Sequence, residues 1–439
     1  MSSGNEKKQI KIKLGTAISL IALLLVIVVI ASIVIINKTG TTNQNSNNTN
    51  KVINEPNKEN EEESDKEILN LDFTMQFLKL ENNNKNMVYS PLSIKYALNM
   101  LKEGANGNTK TQIENVIGNQ NLTKYNNIDK VLSLANGVYI RDTYAEYVKK
   151  DYTKVLTEKY NAEIKYDSFS NAKNINDWIE NKTLGIIKNM LPNETVQNPY
   201  TEMLLINALA IDMEWENSFD SKDTGGADFN LEDGSRMSAT TMHLEDSSDN
   251  ISYYKDNNVT VLTMDLKAYE DTQLEFVAIM PEKKLSEYVE TFTIDEFEDI
   301  IEKTTLASKT KNGVDISIPR FSFEYNLRLK DDLIKLGITD AFDSNLADFS
   351  KMSDTGLYAS DALHKANIDF TEKGIKAAAV TVIIMQDNMA LAKDEPVEIN
   401  IDKPFLYIIR DKSTNEIWFV GNVYEPNSWE EDKVNYEYR

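Results

Sequence analysis

An uncharged apolar run, Leu14 to Ile36, splits this chain into parts that cannot share one fold. As a helix its 23 residues reach roughly 34 Å, slightly more than the hydrocarbon core of a bilayer. It is longer than the apolar part of a signal peptide and no small-x-small site follows it, so a cleaved signal is the competing reading. Residues 1–13 carry Lys7, Lys8, Lys11 and Lys13, whereas Asn, Thr and later Glu follow the run. That asymmetry predicts an uncleaved transmembrane signal anchor at 14–36, a cytoplasmic N-terminus, and an extracellular remainder held at the cell membrane.

Residues 37–65 are rich in Asn and Thr and then in Glu, with almost no aliphatic side chains. Such a segment cannot bury a core and is expected to be a disordered tether, with a reach of roughly 30 Å. From 66 to 427 the texture is that of one large α+β domain. Ile68, Leu71, Phe73, Phe77 and Leu78, then Ile94, Ala97, Leu98 and Leu101, have helical spacing, and Ile175 to Leu191 is a further amphipathic candidate. Strand-like runs follow at Met203 to Met213, Val259 to Leu266, Leu274 to Met280, Val314 to Ile318 and Phe405 to Ile409. The tail, 428–439, is acidic and aromatic, and the sequence assigns it no role.

Several functions are excluded by inventory. There is no cysteine, hence no disulfide, thiol nucleophile or Cys-based metal site. The formal charge of −23 repels phosphate backbones, which argues against nucleic acid as a partner. The two histidines, His243 and His364, sit in no metal-ligand spacing, and no GxSxG elbow exists. Ser93 follows Pro91 at a helix start, where a hydroxyl caps free amides, so a serine-lysine pair with Lys95 is not favoured. Gly104 to Thr109 lacks the Lys-Ser/Thr of a phosphate loop and reads as a turn between helices. Neither a catalytic site nor a cofactor or metal is expected.

Seven short stretches, taken in order, carry a resemblance. They are Asn86 to Ile94 with Ala97 to Leu101; Gly104 to Thr109; Asn176-Asp-Trp178 with Thr183 to Ile187; Asn207-Ala208 with Trp215 and Phe219; Val314 to Phe321; Leu333 to Phe342; and His364 to Ala366 with Lys403 to Phe405. Together they resemble the serpin family over nearly the whole of 66–427. The resemblance implies three β-sheets, eight or nine helices and an exposed reactive-centre loop, here preceded by the single transmembrane helix. It also implies a buried shutter of Ser90, Ser93, Asn207 and His364, and a breach of Trp215, Arg320 and Glu372 with Arg320 paired to Glu372.

The stretch Glu372, Lys373, Gly374, Ile375, Lys376, Ala377, Ala378, Ala379, Val380 and Thr381 is similar to the hinge of inhibitory serpins. A hinge must leave a loop and become a strand. Small alanines lose little side-chain entropy in doing so and let neighbouring strands close on them. Alternation turns Ile375, Ala377, Ala379 and Thr381 inward and Lys376 outward. The family usually has Thr or Ser where Ile375 stands; Ile suits a strand and can enter an apolar core.

The resemblance then implies a protease inhibitor, not an enzyme: a monomer whose partner is a target protease. The protease is acylated on the loop and carried on the order of 50 Å as about 14 residues insert. Counting 14 residues on from Gly374 places the scissile bond at Asn388–Met389, within a window from Met385 to Lys393. The rivals are a non-inhibitory binding protein of the same fold and a membrane-anchored hydrolase.

Overall fold

Uninterrupted apolar strands form the centre of the domain, because a strand covered on both faces has no solvent side for polar residues. The computed structural model describes residues 73–118, 122–246, 248–307, 313–375 and 396–432. The anchor at 14–36, the tether at 37–65, and the hinge and cleavage residues Lys376 to Thr381, Asn388 and Met389 lie outside these. Among the described residues no helix is long and apolar enough to cross a membrane.

Six antiparallel strands make the largest sheet, in the order β1 (Met87–Tyr89), β17 (Ile417–Val423), β16 (Phe405–Asp411), β10 (Leu274–Pro281), β9 (Val259–Asp265) and β8 (Ile251–Lys255). Every residue of β9, β10, β16 and β17 is buried. A four-stranded sheet has the order β15 (Val397–Asn400), β11 (Val314–Pro319), β7 (Arg236–Asp246) and β6 (Gly225–Asn230). Two further ladders are β12 (Phe321–Arg328), β13 (Leu363–Thr371), β14 (Gly374–Ile375), β5 (Met213–Glu214), and β3 (Glu163–Asp167), β2 (Leu132–Arg141), β4 (Met203–Ile211).

The expected count of three sheets is therefore corrected to four ladders. The last two are consecutive in the chain, since only Asp212 separates β4 from β5. They are not bonded to one another along β4 and β13: β4 pairs with β2 alone, and β13 meets β14 only at Phe370 and Thr371.

Eight α-helices and three 3-10 turns lie wholly within the described segments, against the eight or nine helices expected. The 3-10 turns, three to six residues each, are too short to show a periodic signal. The amphipathic stretch from Ile175 stops as a helix at Lys182, because Leu184 (φ 55°) and Gly185 (φ 76°) adopt left-handed backbone. The cap of the helix Pro91–Gly104 is Ser90 rather than Ser93. The Ser90 side chain accepts from the Ser93 amide, and Pro91 occupies the first turn, where no amide partner is needed. This helix starts beneath the unpaired edges of β4 and β13.

Close packing at the centre leaves one residue no choice. A Cβ at Gly421 in β17 would strike the Met87 carbonyl oxygen and stand 2.5 Å from Cζ of the buried Tyr407. Gly421→Ala is expected to cost about 1–3 kcal/mol through overpacking, read as a lower urea midpoint; an unchanged midpoint contradicts this packing.

Candidate functional site

The open side of β4 and that of β13 border a cleft of about 290 Å³. Leu209, Ala210 and Ile211 line it from β4, Asn367, Ile368 and Asp369 from β13, and Ile409 and Phe419 from the six-stranded sheet. The segment Gly185–Ile187 also lines it. That segment is tied to β13 by Asn367 Nδ2, which donates to the Ile186 carbonyl at 3.0 Å, and by Lys365 Nζ to the Lys188 carbonyl at 2.8 Å.

Ser90, Ser93, Asn207 and His364, proposed from sequence as one cluster, are all buried and bonded to one another. The Ser90 amide donates to His364 Nε2 at 3.1 Å, and the Ser93 hydroxyl donates to Asn207 Oδ1 at 2.5 Å. His364 belongs to β13 and Asn207 to β4, so the N-terminus of one helix holds both banks of the cleft. The chain of bonds goes further than expected. Asn207 Nδ2 donates to Asn136 Oδ1 at 2.8 Å, and Asn136 Nδ2 to the Tyr160 carbonyl at 2.7 Å. Asn136 was missed by sequence reasoning; its signal is a polar residue inside the apolar run Leu132 to Ile140, where a buried amide needs partners.

At the other end the cleft is closed. Gly374–Ile375 lies between β13 and β5, pairing Ile375 with Phe370 and with Met213. A Cβ at Gly374 would run into the Met213 carbonyl and stand 2.7 Å from Glu214 Cα, so glycine is required here by close approach. Ile375 is 3% exposed and lines the cleft, turned inward as alternation predicts. Trp215 is 1% exposed; its indole donates to the Thr371 carbonyl and its amide to the Lys373 carbonyl, both at 2.9 Å. The Glu372 carboxylate accepts from the Thr224 hydroxyl at 3.0 Å, and its carbonyl from the Phe219 amide at 2.9 Å. Arg320, expected from sequence beside Glu372, is the residue between β11 and β12. The Arg320 amide donates to the Thr240 carbonyl at 2.8 Å, which ties the start of β12 to β7.

Among the described residues no group of three or more His, Cys, Asp or Glu is placed to hold a metal ion. His243 is exposed and its Nδ1 lies 2.8 Å from the Ser317 hydroxyl on the neighbouring strand. What the cleft offers is two strand edges, an apolar floor and a first pair of residues already seated at its head: a place for one more strand.

Comparison with known proteins agrees with this geometry. A family model described as Serpin (serine protease inhibitor) matches residues 69–426. An uncharacterized serpin-like protein of Methanosarcina acetivorans is 30% identical over 378 residues, covering 81% of this chain and 85% of that protein. The crystal structure of a thermophilic serpin, tengpin, in the native state aligns with a TM-score of 0.70 at 30% identity, covering 82% of this chain and 93% of that one. Thyroxine-binding globulin in complex with thyroxine aligns at 0.66 and 27% identity, covering 82% and 99%.

The His364 interaction has a consequence in pH. Burial pushes the imidazole down to about 4 from its ordinary 6.5, and Nε2 can accept from Ser90 only when unprotonated. The unfolded chain takes up this proton first as pH falls. The contribution is therefore complete above pH 6.5 and is lost progressively toward pH 4, by about 3 kcal/mol over that window. Urea titrations at several pH values should show this loss in the natural chain and its absence in His364→Gln; equal slopes for the two contradict the placement. Ser93→Ala, which strips Asn207 Oδ1 of its donor, is expected to cost about 1–3 kcal/mol at neutral pH.

Proposed function

The chain belongs to the serpin family, and on that footing we propose that it inhibits a protease by acting as its suicide substrate. The observation that carries the reading is the cleft between β4 and β13 with Ile375 already turned into its head. Residues that follow Ile375 in the chain need only continue along the two open edges to complete a ladder on both sides. Each step exchanges solvent-bonded backbone for a strand bonded on both edges, while inward side chains cover the apolar floor.

In this mechanism the nucleophile of the target protease attacks the carbonyl of the loop residue before the cut bond. An acyl bond to the protease forms, the peptide bond breaks, and the C-terminal side leaves with a new amine. The N-terminal side, still acylated, enters the cleft. From Ile375 to Asn388 the inserted strand extends roughly 45 Å, and the protease moves with it. The chain itself turns over no substrate. Cleavage is assigned to Asn388–Met389, the working form to a monomer, and the anchor at 14–36 to an uncleaved membrane helix that displays the domain outside the cell.

The similarity to thyroxine-binding globulin favours a second reading, a binding protein of the same fold without inhibition. The alanines 377 to 379 distinguish the two, because a segment never required to insert has no need of small side chains there.

Incubation with a panel of serine and cysteine proteases is expected to yield, for one of them, a complex that survives boiling detergent and contains the chain only up to the cut. Ala377→Arg and Ala379→Arg place an unpaired charge toward the apolar floor and should convert the inhibitor to a substrate cut at the same bond. Cleavage of the natural chain by every protease without a stable complex contradicts inhibition. For topology, external protease should remove the domain from intact cells; a mature N-terminus after Ile36 contradicts the anchor.

A further inference from the structure

The family match ends at residue 426, and the chain continues. Residues 427–432 are packed onto β6, β7 and the start of β12. The Asn427 amide donates to the Arg320 carbonyl at 3.0 Å, its carbonyl accepts from the Thr240 amide at 2.9 Å, and its Oδ1 accepts from the Ser322 amide at 3.0 Å. Asp432 returns to the same place, accepting from the Thr240 hydroxyl at 2.9 Å and from Asn427 Nδ2 at 3.3 Å. Asn427 thereby joins the first residues of β12 to β7, two strands of different sheets.

Between Asn427 and Asp432 stands Trp429, and its ring lies on Gly226. A Cβ at Gly226 would be 2.7 Å from Trp429 Cγ, so the glycine makes room for the ring. Gly226 is the second residue of β6, two positions after Thr224. Thr224 is the residue whose hydroxyl donates to the Glu372 carboxylate, and Phe219, just upstream, donates to the Glu372 carbonyl. The segment 219–226 is thus held by the tail through Gly226 and itself holds the base of the hinge through Glu372.

We propose that Trp429 is a positioning residue for the reactive-loop hinge. By resting on Gly226 it fixes the segment that holds Glu372, and Asn427 beside it fixes the start of β12, the strand paired with β13, against β7. Both contacts oppose the widening that insertion past Ile375 requires. Asn427 and Trp429 then set how fast the loop enters the cleft, and keep it from entering before a protease has cut it. The inference rests on the reading that the loop inserts at all.

The test compares the natural chain, Trp429→Ala, Trp429→Phe, Thr224→Val and the double variant Trp429→Ala/Thr224→Val. Each is held a few degrees below melting, and the fraction that has become resistant to loop cleavage is followed with time. Trp429→Ala is expected to convert roughly tenfold faster than the natural chain, a change of about 1.4 kcal/mol at the barrier. Trp429→Phe should return most of the way to the natural rate. The double variant should convert no faster than the quicker single variant, because both substitutions release the same segment. The urea midpoint of the loop-cleaved form should be the same with and without Trp429, since the barrier it raises has then been crossed; a merely structural role would lower that midpoint too.

Natural-rate conversion of Trp429→Ala, or strictly additive effects with Thr224→Val, overturns the inference while leaving inhibition intact. Should Trp429→Ala fail to fold, Thr224→Val alone must convert faster than the natural chain, or the inference fails. A natural chain that gains no stability when its loop is cleaved overturns the inhibitor reading, and this inference with it.

Discussion

Two strand edges that border one cleft without bonding, β4 and β13, govern how the rest of this domain is arranged. An open edge is a row of backbone donors and acceptors without strand partners, and proteins normally cover or blunt it. Here two such edges stand over an apolar floor that includes Ile409 and Phe419. A sheet built this way lacks one strand. On the proposed reading the missing strand is in the chain already, attached at Ile375 and withheld.

The surroundings of the cleft fix its two ends by different means. At one end the N-terminus of the helix Pro91–Gly104 holds both banks, β13 through the Ser90 amide on His364 and β4 through the Ser93 hydroxyl on Asn207. These groups are buried, so each depends on the others for its hydrogen bonds, and the burial that depresses His364 makes the arrangement sensitive to acid. At the other end the contacts are mostly backbone and aromatic: β14 between β13 and β5, and Trp215 beneath Thr371, with its ring 5.1 Å from that of Phe370. Polar bonds that require a single geometry stand farther along the cleft, where a strand arrives only after insertion has begun. The end where insertion begins is lined by packing and by a glycine that allows close approach.

Much of this was legible in the sequence, and the limits were physical. The strands buried on both faces show themselves as apolar runs, so β9, β10 and β16 fall within a residue or two of where hydropathy places them, and the alternating β11 does the same. The cluster of Ser90, Ser93, Asn207 and His364 was legible through resemblance, because the four residues lie in short motifs. Asn136 was not, since only the register opposing it to Asn207 reveals its role. Strand β2 gives no clear signal because Ser133, Asn136 and Gly137 interrupt its apolar run. The amphipathic pattern from Ile175 runs past the end of its helix at Lys182, because hydropathy carries no information about the left-handed backbone at Leu184 and Gly185. Glu372 lies at the head of the cleft, and its Thr224 partner lies 148 positions away, where no local pattern announces it. The contact of Trp429 with Gly226 was hidden for the same reason.

The central claim is that the cleft between β4 and β13 takes up the loop once it is cut. Hydrogen exchange of backbone amides reads this directly, strand by strand. After cleavage within 385–393, amides of β4 (203–211) and of β13 (363–369) that now lack a partner should become strongly protected, together with those of 376–384. Unchanged exchange along both edges after complete cleavage would mean that the cleft stays empty, and would contradict the account.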